Sequence, residues 1–286
     1  ISKLLNIPLV INYHANIHLY LKSYNIGFFK KEICTFFHYY TMKLNDCDLV
    51  LNVSKVNEQH LIKNNYLSIK QRRNIIPKIV DTKKFYPTNI KKTNSRLKLL
   101  LVSRIEKEKN MDVVFKALHR IKNCELHVVG DGNYLKNLKK LYKKNIIYHG
   151  KVKNNILYKY YSMADIFINP SKTETLGFTT LEAMACKCPV IGFNKLGTKE
   201  IIKCRYNGLL FNNINELIDC VDLIRKNNKF KRKIIKNAYN YAKMLKPKKS
   251  VDKIISILKR EIKIKKNKKH ELINKNFFYL YRIIFP

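Results

Sequence analysis

Acidic residues are scarce in this chain: 20 Asp and Glu face 58 Lys and Arg over 286 residues, a net charge of +38. No uninterrupted apolar run reaches roughly 18 residues, the length a spanning helix needs, so none is expected. The seven cysteines (34, 47, 124, 186, 188, 204 and 220) are odd in number and dispersed, without CxxC pairs or histidines at metal-binding spacing. A disulfide framework and a structural zinc are therefore not expected, and a reducing compartment is favoured. The sequence shows neither an internal repeat nor sustained heptads. Glycine is also scarce: of 8 in all, seven (130, 132, 150, 177, 192, 197 and 208) fall in one stretch. Glycines this few are expected where φ is positive or where something approaches the main chain closely.

What is present bounds the rest. A hydrophobic content of 46% argues against disorder, and the length suits two modest domains. Anionic lipid surfaces, nucleotide phosphates and nucleic acid all fit the excess of positive charge. Lysines spread along the whole sequence without an RNA-binding motif, so nucleic acid is not expected as the partner. The chain opens at Ile1 rather than Met and enters a helix-then-strand pattern at once, as a piece of a longer protein would.

Strand and helix signals alternate. Strands are expected at Pro8 to Tyr13, Asp48 to Val53 and Asn74 to Ile79, with an aromatic, basic helix from Ile26 to Leu44 and another from Lys55 to Asn64. A polar stretch from Thr88 to Arg96 reads as a linker. Beyond it come strands at Leu97 to Val102, Glu125 to Val129, Ile146 to His149, Asp165 to Asn169, Val190 to Phe193 and Leu209 to Phe211, with helices between. Such alternation predicts an α/β chain with parallel sheets, whose ligands bind beyond the strand C-ends. The expected division is 1–90, 96–245 and a basic helical tail at 246–286. That tail ends in the apolar NFFYLYRIIFP, which from Phe277 would pack on the first domain or dip into a membrane surface.

Two of the rare acids, Glu174 and Glu182, lie with seven residues between them in SKTETLGFTTLEAMACKCPV. A loop carrying Glu174 and Gly177 leads there into a helix from about Thr179. The amides of Leu176, Gly177 and Phe178 would then face an anion at the helix start. Glu182 also fits a capping box, reaching back from the third helical position to Thr179. Arg104 and Lys109 follow the first strand of the second domain and would grip a diphosphate, one as a planar fork and the other as a point charge. Gly130, Asp131 and Gly132 follow the next strand and fit a tight turn. His14 closes the strand PLVINYH, where a neutral imidazole would orient a hydroxyl or simply bond local backbone.

In this order and spacing, PLVINYH, VSRIEKEKN, VVGDGN and NPSKTETLGFTTLEAMACKCPVIGFNKLGTKEII resemble the retaining, nucleotide-sugar-dependent glycosyltransferases of the GT-B fold, the large family marked by Glu, seven residues, Glu. ETLGF and YHANIHLYLKSY are similar to its sulfolipid-forming, sulfoquinovosyl-transferring members. The resemblance implies two Rossmann-like doubly wound domains, the first incomplete here, with Glu174 touching the donor sugar and Glu182 the ribose hydroxyls. It places Arg104 and Lys109 on the pyrophosphate and His14 beside the sugar, as catalytic partner of Glu174. No cofactor or essential metal is implied; a UDP-sugar is the donor substrate. The favoured acceptor is a membrane lipid, with sulfoquinovose passing to diacylglycerol in an intracellular enzyme on an anionic membrane surface, in a plastid-type organelle if that likeness holds. Phe28, Phe29, Phe36, Phe37, Tyr39 and Tyr40, with Lys30 and Lys31, would dock on the bilayer or form a core helix. Hexosyl or mannosyl transfer to another lipid or glycan, and a noncatalytic nucleotide-sugar-binding subunit, are the alternatives. Two positions depart from the family pattern: Ser103 stands where glycine is usual, and Leu196 replaces the first of a glycine pair.

Overall fold

The structure is a computed structural model that describes residues 5, 7–13, 30, 32–34, 36, 47–89, 96–142 and 144–284, with side chains through 267. His14, His18 and most of the aromatic stretch expected to form a helix lie outside the described residues. Within them, β1 (Val10–Tyr13), β2 (Leu49–Asn52) and β3 (Arg73–Ile75) form a parallel sheet in that order. Helix α1 (Lys55–Lys63) follows β2 and starts cleanly because the Ser54 side chain accepts the Asn57 N–H at 3.0 Å. Strand β3 stops short of the expected Ile79: the Ile76 N–H still reaches the Asn52 carbonyl at 2.7 Å, but Pro77 has no N–H to continue the ladder.

The second sheet has six parallel strands. Its elements in chain order are β4 (Leu97–Val102), a 3₁₀ turn (Lys107–Lys109), α2 (Asp112–Leu118), β5 (Cys124–Val129), α3 (Leu135–Leu141) and β6 (Ile146–Gly150). Then come α4 (Leu157–Met163), β7 (Ile166–Asn169), α5 (Phe178–Ala185), β8 (Val190–Phe193), α6 (Leu196–Ile201) and β9 (Leu209–Phe211). In space the strands run β6-β5-β4-β7-β8-β9. The chain winds outward from β4 to β6, then returns to the other side of β4 at β7, so a switch point lies between β4 and β7. Helices cover both faces, which is why LKLLLV and IFIN are almost wholly apolar rather than alternating. Leu99 and Leu101 pack with Leu126, Val128 and Ile168 on one face, while Leu100 and Val102 pack with Val129, Phe167 and Val190 on the other. Each such buried side chain is worth about 1.5–3 kcal/mol against exposure.

Three helices finish the described chain: α7 (Ile214–Lys226), α8 (Asn228–Met244) and the long α9 (Pro247–Ile284). Helix α9 crosses back to the small sheet, where Ile257 packs on Leu49 and Leu51. Glu261 pairs with Arg72 at 2.7 Å and Lys265 with Asp48 at 2.9 Å. Residues well before Phe277 therefore make the return contact, and the apolar end itself lies beyond the described side chains. A second tie joins the lobes: Glu200 on α6 accepts the Val56 N–H of α1 at 3.0 Å and pairs with Lys78.

Candidate active site

The switch point collects chemistry-bearing side chains. The segments leaving β4 and β7 meet in a tight crevice lined by Val102, Ser103, Lys109, Asn169, Ser171 and Glu174, among others. Asn110 ties the two segments together, its side-chain amide donating to the Pro170 carbonyl at 3.1 Å. Its own backbone takes the left-handed φ of 56° that ends the 3₁₀ turn. Lys109 is thereby held with its ammonium 3.6 Å from the Glu174 carboxylate, both side chains mostly shielded from solvent. Arg104 stands on the open side, its side chain 66% exposed and tethered to the buried Glu108 carboxylate at 3.7 Å. A fork so placed keeps donors free for an incoming anion.

Next to this crevice, sharing Val102 and Ser103 with it, lies a cavity of about 510 Å³ lined by Arg104, Gly130, Asp131, Gly132, Lys151 and Leu157, among others. That volume falls within the roughly 300–1,000 Å³ of small-molecule sites. Backbone packing explains the two glycines flanking Asp131. A Cβ on Gly130, whose φ is +137°, would lie 1.9 Å from the Ser103 carbonyl oxygen, and one on Gly132 would lie 2.3 Å from that of Ile105. The Ile105 N–H also donates to the Asp131 carbonyl at 2.8 Å. The turn thus holds the segment that carries Arg104 and forms one wall of the cavity. Lys151, missed from sequence, follows β6 as Arg104 follows β4; the rule that ligands meet strand C-ends would have found it.

The Glu174 loop departs from expectation at the helix start. Helix α5 begins at Phe178, and its cap is Gly177 with φ +81° and no side-chain cap bond. The capping box between Thr179 and Glu182 does not form. With Gly177 in the left-handed region the helix begins too early for Thr179 to precede it, and Glu182 turns instead to the Tyr161 hydroxyl, which donates to it at 2.8 Å. Nor is the Gly177 amide open to a ligand here: it donates to Glu174 Oε1 at 3.1 Å. The carboxylate of this same loop occupies the place expected for an anion. Leu176 is buried and Phe178 half exposed. Glu182 lines neither cavity; burial raises its carboxyl above the ordinary range, with Tyr161 and Lys84 pulling the other way. Burial likewise holds the Tyr161 hydroxyl well above its usual value. Among the described residues no group of three or more His, Cys, Asp or Glu is placed to hold a metal ion.

The pattern that defines the family of glycosyl transferases group 1 matches residues 82–241, more than half of the 286 residues. The chain belongs to this family. The group 1 chain is 28% identical to the sulfoquinovosyl transferase SQD2 of Arabidopsis thaliana, over 79% of its own length and 46% of that protein's. It is also 28% identical to the alpha-monoglucosyldiacylglycerol synthase of Streptococcus pneumoniae, over 77% of its length and 54% of that protein's. The chain spans about half the length of these curated relatives. Its fold is of the GT-B type. Similar solved structures include a sucrose-phosphate synthase from Thermosynechococcus elongatus, with a TM-score of 0.76 at 21% identity over 88% of this chain and 67% of that one. HepE of Anabaena in complex with UDP and glucose has a TM-score of 0.75 at 17% identity over 90% of this chain and 73% of that one.

In this group 1 transferase chain the two departures from the family pattern have different consequences. Leu196 adopts φ +46°, a left-handed conformation that glycine takes freely and that costs a side-chain-bearing residue roughly 1–2 kcal/mol. Its side chain is buried, which offsets that cost. Beside it, Gly197 has no room for a Cβ, which would lie 2.5 Å from the Thr175 carbonyl, and its N–H donates to the Glu174 carbonyl at 2.8 Å. Ser103 lines both cavities and donates its hydroxyl to the Arg104 carbonyl at 2.8 Å.

Proposed function

We propose that the protein containing this chain is a retaining glycosyltransferase that moves a sugar from a UDP-sugar to a membrane lipid hydroxyl, with sulfoquinovose passing to diacylglycerol as the favoured case. The observation that carries the reading is the meeting of Arg104, Lys109, Glu174 and the Gly130–Gly132 turn at the C-ends of β4, β5 and β7. In this reading the diphosphate lies across the switch point against Lys109 and Arg104, and the nucleoside enters the larger cavity. Glu174 accepts from the sugar hydroxyls; the ribose role of Glu182, which lines neither cavity and accepts from Tyr161, and the sugar role of His14 rest on the family resemblance alone. The name of the Streptococcus relative supports transfer to a diacylglycerol lipid, that of the Arabidopsis relative supports sulfoquinovose as the sugar, and the UDP and glucose bound by HepE support the donor class.

The chemistry follows from the charges. As the bond from the sugar's anomeric carbon to the phosphate oxygen breaks, its electron pair passes to the diphosphate, where Lys109 and Arg104 stabilise the growing charge. The acceptor oxygen bonds to the same carbon from the face the nucleotide leaves, and its proton passes to the departing phosphate. Charge relief comes from protein cations in this reading, so a chelator leaves the rate unchanged.

The test uses the full-length protein with a panel of radiolabelled nucleotide sugars and membrane lipids. Glu174→Gln and Arg104→Ala should each lower transfer by about 10²-fold or more with thermal unfolding unchanged, whereas full activity in either would overturn the assignment. Competition by UDP and GDP in isothermal titration separates a UDP donor from a GDP donor.

A further inference from the structure

Helix α9 carries an apolar stripe that stays exposed among the described residues. Val251, Ile255, Leu258 and Ile262 are 49%, 45%, 36% and 45% exposed. Successive helical residues advance by about 100°, so these four fall within about 60° of one another on a single line. On one side of that line runs the seam that holds the helix to the small sheet, where Ser250, Ile257 and Glu261 are buried. On the other side Lys248, Lys259, Lys263 and Lys266, all exposed, lie within about 80° of the stripe's edge. Asp252 is the one acid among them. Across the helix, then, a buried seam gives way to an exposed apolar line and then to a basic flank.

Lysine and Arg are more than twice as numerous as acids in the whole chain, so positive charge alone singles out no surface. Here the charge borders exposed aliphatic side chains at helical spacing, and that pairing does. An aliphatic line bordered by long cations matches the boundary of an anionic bilayer, where apolar side chains enter the acyl region while lysine ammonium groups stay at the phosphates. Each lysine near such a surface adds about 1 kcal/mol of attraction. Among the described residues no helix is long and apolar enough to cross a membrane.

We propose that the outer face of α9, through Val251, Ile255, Leu258 and Ile262 with their lysine border, docks the protein on anionic lipid bilayers. The proposal rests on and deepens the lipid-acceptor reading by giving the enzyme a place to meet its acceptor, at a helix distant in sequence from the aromatic segment at residues 28–40.

The experiment is co-sedimentation of the full-length protein, without sugar donor, with vesicles of phosphatidylglycerol and phosphatidylcholine and with vesicles of phosphatidylcholine alone. Wild type should pellet with the first and much less with the second, and high salt should release it. Ile255→Ser with Leu258→Ser, and separately Lys259→Glu with Lys263→Glu, should each lower partitioning by about tenfold or more. Both pairs are exposed, so thermal midpoint and UDP affinity should match wild type; docking and donor binding are thereby read apart. Equal binding to both vesicle types, or variants that pellet like wild type, would overturn the proposal. So would a concentration-dependent dimer, without vesicles, that the serine variant dissolves, because a second copy would then be the occupant of the stripe.

Discussion

Gly130 shows how one residue can serve the site through its backbone alone. Its φ of +137° and the 1.9 Å approach to the Ser103 carbonyl leave no place for a methyl group. Gly130→Ala should therefore cost about 2–4 kcal/mol, read as a lower denaturant midpoint, and should disturb the segment that presents Arg104. A midpoint equal to wild type would contradict the packing described. Glu182 offers a second test. Burial raises its carboxyl, and a group whose pKa is raised on folding favours the folded state while protonated. That contribution is complete below the ordinary Glu value of about 4.3 and disappears as pH rises through the raised value. Gln at this position still accepts from Tyr161 and never ionises. Urea unfolding between acid and neutral pH should show Glu182→Gln gaining on wild type as pH rises; a gap that stays constant would show that the carboxyl is not raised. From sequence the pair of acids was visible, and the family resemblance gave Glu174 the sugar and Glu182 the ribose, but nothing showed which acid meets a cation. Only Glu174 faces Lys109, because Gly177 starts the helix early and turns Glu182 toward Tyr161, a residue distant from it in sequence.

At the level of elements, buried parallel strands were the clearest to read. Strands β4, β8 and β9 run as expected, Leu97–Val102, Val190–Phe193 and Leu209–Phe211, since burial on both faces writes itself as an unbroken apolar run. Helix ends were less clear. The helix expected between Val102 and Glu125 covers only Asp112–Leu118, because terminal turns depend on caps and packing that composition does not show. Contacts between elements far apart in the chain could not be read at all. Glu200 meets Lys78 across 122 positions and also accepts the first-turn Val56 N–H of α1, joining α6 to the other lobe. Both side chains are largely shielded, at 14% and 16% exposure. Glu200→Gln with Lys78→Met in a double-mutant cycle should return a coupling of about 1–3 kcal/mol. Additive effects would mean that the pair does not hold the lobes.

The whole molecule divides its tasks by topology. The six-stranded sheet reverses its winding between β4 and β7, and every cation and acid assigned to the donor's charge stands at or beside that reversal. The small sheet is joined to it through Glu200 and through α9, whose far face is left to an anionic surface. The reading stands or falls on where a nucleoside diphosphate binds. A crystal structure of the protein with UDP decides this directly: the diphosphate is expected within hydrogen-bonding distance of Lys109 and Arg104, with the nucleoside in the cavity beside Gly130 and Lys151. Density for UDP away from the β4–β7 switch point, with Lys109 still closed on Glu174 and Arg104 untouched, would contradict it.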